Sequence, residues 1–220
     1  GFSRHQILGN PITAVKRLSE WASDELIYLD ISRDNNYDLK RDDQGYENVK
    51  SFLGIIEYIS KETFMPITIG GKIKNLTDIE KRLMLCADKV SVNSQAIDEK
   101  KFISNAAKEF GSQCIVISVD AKRVGSEFYV FSNFGKINSN IKVRDWLKVV
   151  QEEGAGEILL NSIDNDGLGL GYDTKLLEQI TPDMKIPIII CGGVGDYLDF
   201  EEGLKNPKID AVAAANIFHY

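Results

Sequence analysis

One pattern occurs twice in the chain. Residues 66–73 read PITIGGKI and residues 187–194 read PIIICGGV. Each copy opens on proline, runs apolar and ends in Gly-Gly. Each is followed by a helical stretch and a short strand, ADKVSVNS at 87–94 and IDAVAAAN at 209–216. A second pair, DELIYLDIS at 24–32 and GEILLNSID at 156–164, repeats the same order. Two halves with one order of elements leave few folds open.

Strand candidates lie at 25–31, 66–70, 89–93, 114–120, 157–163, 187–191 and 210–214. Most are continuous apolar runs, as expected of strands covered on both faces. Helical patterns at 11–23, 77–86, 98–110, 143–153, 174–180 and 197–204 alternate with them. That order is parallel α/β. By itself it fits a doubly wound sheet or a closed barrel. The repeat selects a (β/α)8 TIM barrel with a two-fold half-barrel repeat, as a single domain over 1–220. The run CIVISVD at 114–120 has no counterpart ahead of Gly1, and no helix follows the last strand. The first strand and last helix are therefore expected to be absent from this sequence.

Local signals fill in the frame. Pro11 suits a first helical position, with Ile12, Val15, Leu18 and Trp21 on one face. Thr77 with Glu80 reads as a capping box. The polar segment 32–48 reads as a long loop. A hairpin at 127–138, with Phe128, Val130 and Phe134 alternating, is placed over the mouth of the site.

Composition narrows the function. Apolar residues make up 43% and charged residues 27%, which suits a soluble globular chain. The net charge of -7 disfavours a nucleic-acid partner. No apolar run approaches the length of a membrane span. Cys86, Cys114 and Cys191 show neither disulfide nor metal spacing, which fits a cytoplasmic location. With only His5 and His219, a histidine metal site is not expected.

A barrel carries its chemistry at the C-terminal strand ends. Standing there are Asp30, Gly70-Gly71, Asn93-Ser94, Asp120, Asp164 and Asp166 with Gly167, Gly192-Gly193, and Ala215-Asn216. A lone Gly-Gly reads as a tight turn. Two at equivalent positions, each beside a small polar strand end, point to a ligand with a phosphate at each end. Asp120 closes an apolar strand, so a raised pKa suited to acid–base work is expected. Any one strand-end aspartate also reads as a cap or salt-bridge partner. Carboxylates bind divalent metals, but no spacing demands one, and neither metal nor cofactor is expected. At the opposite end, Glu25, Lys89 and Glu157 each begin a strand, and by themselves read as a solvated rim.

The segments DELIYLDIS, ADKVSVNS, FGSQCIVISVDAKR, GAGEILLNSIDNDG-x3-GYD, CGGVG and DAVAAANIFHY together resemble the HisF family, the cyclase subunit of imidazole glycerol phosphate synthase. The likeness covers nearly the whole chain. It implies a (β/α)8 barrel in heterodimer with a glutaminase subunit docked at the barrel bottom. Ammonia from that partner converts a bis-phosphorylated ribulosyl aminoimidazole carboxamide nucleotide into imidazole glycerol phosphate and a purine precursor. The resemblance implies that Asp120 is the general acid/base, with Asp166 and Asp30 as further carboxylates. It puts Gly71, Asn93 and Ser94 at one phosphate site, and Gly167, Gly193, Ala215 and Asn216 at the other; Gly192 joins these through its Gly-Gly turn. Glu25, Lys89 and Glu157 match the ammonia entrance, and Asp88 and Gln113 the partner face. The bottom charges then read as an entrance rather than a rim.

The departures from the family fall mainly at the mouth. Lys72 stands where the family has a third glycine, and Lys74 where it has arginine. Gly167-Leu168-Gly169-Leu170-Gly171 replaces a loop with Thr-Lys, and Asn216 replaces a serine. The 32–48 loop is longer and more acidic. The family's flexible-loop lysine falls at Arg4 or His5, depending on alignment, and its first-strand aspartate is not in the sequence. These changes resemble paralogues associated with sugar amidation in lipopolysaccharide or surface-glycan synthesis, which hand ammonia to a separate sugar amidotransferase. Three readings result: a cyclase, a non-cyclising ammonia conductor, and another phosphate-binding barrel such as an isomerase of the same pathway. The last leaves the bottom charges without a task.

Overall fold

The computed structural model describes residues 11–20, 23–32, 37, 49, 51–61 and 64–219. They fall into two compact units, one within residues 6–91 and one from Val92 onward.

The first unit runs α1 (Pro11–Glu20), β1 (Leu26–Leu29), α2 (Phe52–Ser60), β2 (Ile67–Gly70), α3 (Leu76–Leu85) and β3 (Lys89–Val92), the last ending at the unit boundary. Its strands pair in parallel, with Leu29, Gly70 and Ser91 in one rung and Ile27, Thr68 and Lys89 in another. The apolar runs are the core: Ile67, Ile69 and Val90 are at most 2% exposed, and α2 and α3 bury Ile56, Ile59 and Ile79. Each such isoleucine contributes about 1.5–3 kcal/mol of burial. α1 begins at Pro11 and buries Val15, as its spacing predicts. The side chains of Ile12 and Trp21, expected on the same face, and most of the 32–48 segment lie outside the described residues. The start of α3 differs from expectation. Asn75 caps it, its carboxamide oxygen accepting from Asp78 N at 2.9 Å, so Thr77 lies inside the helix and forms no box with Glu80.

The second unit holds α4 (Ser94–Asp98), α5 (Lys101–Phe110), a 3-10 turn (Ser112–Cys114), β4 (Ile115–Val124), β5 (Glu127–Ser132), β6 (Ile137–Lys142), α6 (Val143–Glu152), β7 (Glu157–Ser162), α7 (Thr174–Leu177), β8 (Ile188–Cys191), α8 (Tyr197–Leu204), β9 (Ala211–Ala213) and a final 3-10 turn (Asn216–His219). β4, β7, β8 and β9 pair in parallel. The helix expected over 98–110 is broken, because Glu99 takes an extended conformation between α4 and α5. The helix expected over 174–180 stops at Leu177 and continues as i→i+3 turns towards Pro182, whose ring disfavours helix at the residue before it. The hairpin is present as β5 and β6. β4 runs four residues past Asp120 because Ala121–Val124 pair antiparallel with β5. Phe128 and Val130 are buried as their alternation predicts, whereas Phe134 sits in the positive-φ turn after β5.

The repeat extends to individual hydrogen bonds. Ile67 N donates to Asp88 Oδ2 at 2.8 Å, and Ile188 N to Asp210 Oδ2 at 2.9 Å. Each aspartate's own N–H returns to the carbonyl of the same isoleucine, at 2.9 and 3.0 Å. In both halves the residue ahead of one strand thus closes the first N–H of its neighbour. The exits match too, with φ of 90° at Gly71 and 91° at Gly192, a conformation that favours glycine. Parallel strands joined by helices make this an α/β fold, and the repeated order of elements is that of a (β/α)8 barrel. Among the described residues, no helix is long and apolar enough to cross a membrane.

Candidate active site

The register of the second unit builds the site. Asp120, Asn161, Cys191 and Ala213 occupy one rung across β4, β7, β8 and β9. Residues opposite each other on adjacent strands share a face, so the first three side chains stand side by side. Asn161 Nδ2 donates to Asp120 Oδ1 at 3.2 Å. Asn93, between β3 and α4, donates from Nδ2 to Asp120 Oδ2 at 3.1 Å. Both carboxylate oxygens are thereby held by neutral donors.

The apolar surroundings dominate the electrostatics. Burial raises the Asp120 carboxyl from 3.8 to about 6; the Asn161 hydrogen bond opposes the shift and the nearby Asp166 charge adds to it. Burial likewise pushes the Cys191 thiol up to about 12, with Asp166 and Asp120 contributing. Asp120 therefore changes protonation close to neutral pH, as acid–base work needs, while Cys191 stays a thiol.

The loop after β7 separates the two aspartates read there. Asp164 accepts from Arg123 N at 2.7 Å, which fastens the loop to the β4–β5 hairpin and makes it a structural partner. Asp166 is the one whose charge reaches Asp120 and Cys191. The glycines beyond it close against the turn after β8. Gly171 N donates to Gly193 O at 2.9 Å, and a Cβ on Gly193 would collide with the Gly171 carbonyl. Gly167 adopts a φ of 76° in the same loop. Ala215 is exposed and accepts from Phe218 N at 3.2 Å, while the Asn216 side chain lies outside the described residues. The hairpin is tied to the other candidate site: Asn133 N donates to Ser94 Oγ at 3.1 Å, and Asn93 Nδ2 reaches Phe131 O at 3.4 Å.

In the first unit, Asp30 is 5% exposed and densely held. Oδ1 accepts from Ser32 N at 3.0 Å and Ser32 Oγ at 2.6 Å, and Oδ2 from Tyr37 Oη at 2.8 Å. Lys72 Nζ lies 3.5 Å from Oδ2 and donates to Ser32 Oγ at 2.6 Å. Gly71 packs directly on the Asp30 backbone, where any Cβ would collide. Lys72 follows at a φ of 55°, strained for a lysine, and its amine is spent on this cluster. At the N-terminal strand ends, Lys89 Nζ pairs with Glu25 Oε2 at 2.9 Å, and Thr68 Oγ1 donates to Glu25 Oε1 at 2.5 Å. Asp88 spends one oxygen on Ile67 N. In the second unit, Gln113 lies in the 3-10 turn before β4 and Glu157 begins β7.

Sequence reasoning missed Asn161 and Cys191. Their only signal was a polar residue near the end of an apolar run, and strand register was needed to set them beside Asp120. Among the described residues, no group of three or more His, Cys, Asp or Glu is placed to hold a metal.

An α/β chain with barrel order and titratable side chains at its C-terminal strand ends is of the class of (β/α)8-barrel enzymes. The sequence matches the family described as histidine biosynthesis protein over residues 1–220. It is 40% identical to imidazole glycerol phosphate synthase subunit HisF of Dehalococcoides mccartyi over 212 residues, 96% of this chain and 79% of the relative. It is also 40% identical to the subunit of that name from Sulfolobus acidocaldarius over 211 residues, 96% of this chain and 80% of the relative. The chain belongs to the HisF family of histidine biosynthesis proteins.

Proposed function

We propose that the chain is the cyclase subunit of an imidazole glycerol phosphate synthase, a lyase that adds ammonia to a bis-phosphorylated ribulosyl aminoimidazole carboxamide nucleotide and closes the imidazole ring. The observation that carries this reading is Asp120, a carboxyl titrating near 6 and held at both oxygens by carboxamides. A base needs a substantial ionised fraction at neutral pH and an acid a substantial protonated one, and this value serves both.

In this reading Asp120 moves the proton, and Asp166 and Asp30 are the further carboxylates. The glycine turns and small polar residues bind phosphate by backbone and side-chain donors: Gly71, Asn93 and Ser94 at one end of the substrate, Gly167, Gly192, Gly193, Ala215 and Asn216 at the other. Glu25, Lys89 and Glu157 gate ammonia at the strand starts. Asp88 and Gln113 face a glutaminase in a heterodimer, in the cytoplasm. The test is formation of imidazole glycerol phosphate from the nucleotide with an ammonium salt as nitrogen source. Product formation supports the cyclase.

A second reading rests on Lys72. Its hold on Asp30 and Ser32 occupies a position where the family has glycine. A barrel that conducts ammonia to a sugar amidotransferase without cyclising tolerates a neutralised Asp30. Absence of product, from a folded protein that still binds phosphate ligands, supports this second reading.

A further inference from the structure

We propose that Asn161 is a positioning residue for the proton transfer, fixing Asp120 Oδ1 from β7 while Asn93 fixes Oδ2 from the opposite side. The inference rests on the cyclase reading and adds a residue to it.

Three observations support it. First, the register places Asn161 directly beside Asp120 on the neighbouring strand, with Nδ2 at 3.2 Å. Second, the other end of the carboxamide is poorly served by the fold. Its Oδ1 is buried and has no hydrogen-bond partner among the described residues. A buried acceptor without a partner is destabilising, and a leucine or valine would fill this apolar strand without that penalty. An amide kept there despite the cost is accounted for by its hold on Asp120. Third, the next strand leaves room for it. A Cβ on Gly192 would lie 2.8 Å from Asn161 Oδ1 and 2.8 Å from Ser162 O. Gly192, read from the sequence as a phosphate contact, thus also admits the amide that reaches Asp120.

The groups facing Asp120 set the direction of the test. Asp166, from the loop after β7, raises its pKa, and Asn161 lowers it. Cys191 faces it from β8, as an un-ionised thiol. From β5 comes Phe131, opposite Asp120 in register, with Lys122 Nζ 5.8 Å from its ring centroid. Removing the Asn161 donor leaves burial and Asp166 unopposed on that side.

The experiment follows the Asp120 carboxyl directly, by carbon-13 NMR of selectively labelled protein, in wild type, Asn161→Leu and Asn161→Asp. Asn161→Leu removes the donor at similar volume. Asn161→Asp keeps the shape and replaces the donor with a second carboxyl, so one variant serves if the other fails to fold. The expected result is an Asp120 titration moved up by about one pH unit in the leucine variant and further in the aspartate variant. The acid limb of ammonium-driven kcat moves with it, kcat falls roughly 10- to 100-fold, and KM stays within about twofold. An unmoved Asp120 titration in the folded variants overturns the inference, even if the wild type is an active cyclase. A moved titration in a protein with no turnover upholds the hold on Asp120 and overturns only the cyclase reading.

Discussion

Asn93 Nδ2 lies 3.1 Å from Asp120 Oδ2, so a residue read as a phosphate ligand also holds the carboxyl proposed as the acid/base. Asn93→Ala is therefore expected to damage both functions: KM for the nucleotide rises roughly tenfold and kcat falls roughly tenfold, each matching the loss of one hydrogen bond to a charged group. Asp120→Asn differs. It should lower turnover by about 10² to 10⁴ while leaving phosphate-ligand affinity nearly unchanged. Steady-state kinetics on the two variants, with direct binding of a phosphate ligand, separates these outcomes. Equal loss of binding in Asp120→Asn would make Asp120 a structural residue.

Asp120 also shapes the dependence of stability on pH. Its folded carboxyl titrates at about 6 against an ordinary 3.8, so between those values the folded chain keeps a proton that the unfolded chain has released. Its contribution is present below the unfolded value and is lost as pH rises through the folded one. The cost by pH 7 is about 3 kcal/mol. Urea denaturation of wild type and Asp120→Asn from pH 4 to pH 7 should show the wild type losing stability relative to the variant across that window.

Two glycines separate backbone strain from crowding. Gly125 has a φ of 66° with no atom of the described residues near a prospective Cβ, so Gly125→Ala should cost only about 1 kcal/mol. Gly192 has a φ of 91° and would press a Cβ on Asn161 Oδ1 and Ser162 O. Gly192→Ala should cost roughly 3 kcal/mol or more, and should weaken turnover by displacing Asn161. Thermal denaturation with parallel activity assays checks both.

Much of this was legible in the sequence because it depends on local pattern. The doubled Pro-apolar-Gly-Gly motif foretold two strands with matched exits, and Gly71 and Gly192 differ by only a degree in φ. The apolar run ending at Asp120 foretold a carboxyl with a raised pKa. What escaped depends on which residues meet across strands. Asn161 and Cys191 join Asp120 through register alone. Lys72 was visible as a departure, but its hold on Asp30 required the folded turn at Gly71. Asp88, read only as a partner-face residue, carries a backbone hydrogen bond to β2 whose twin at Asp210 appeared once the two halves were compared.

The Glu25–Lys89 pair gives a prediction for the strand starts. Lys89 Nζ sits 2.9 Å from Glu25 Oε2, with both side chains a quarter exposed. If the pair gates ammonia, Lys89→Ala should lower glutamine-driven turnover in the presence of the glutaminase several-fold more than turnover with added ammonium. Equal losses in the two assays would return the pair to a stabilising role.

The central claim is tested most directly by ammonium-driven turnover of the bis-phosphorylated nucleotide by the protein without a partner, measured against pH at a fixed concentration of free ammonia. Formation of imidazole glycerol phosphate is predicted, with an acid limb near pH 6 set by Asp120. A folded protein that binds phosphate ligands and yields no imidazole glycerol phosphate at any pH would contradict it.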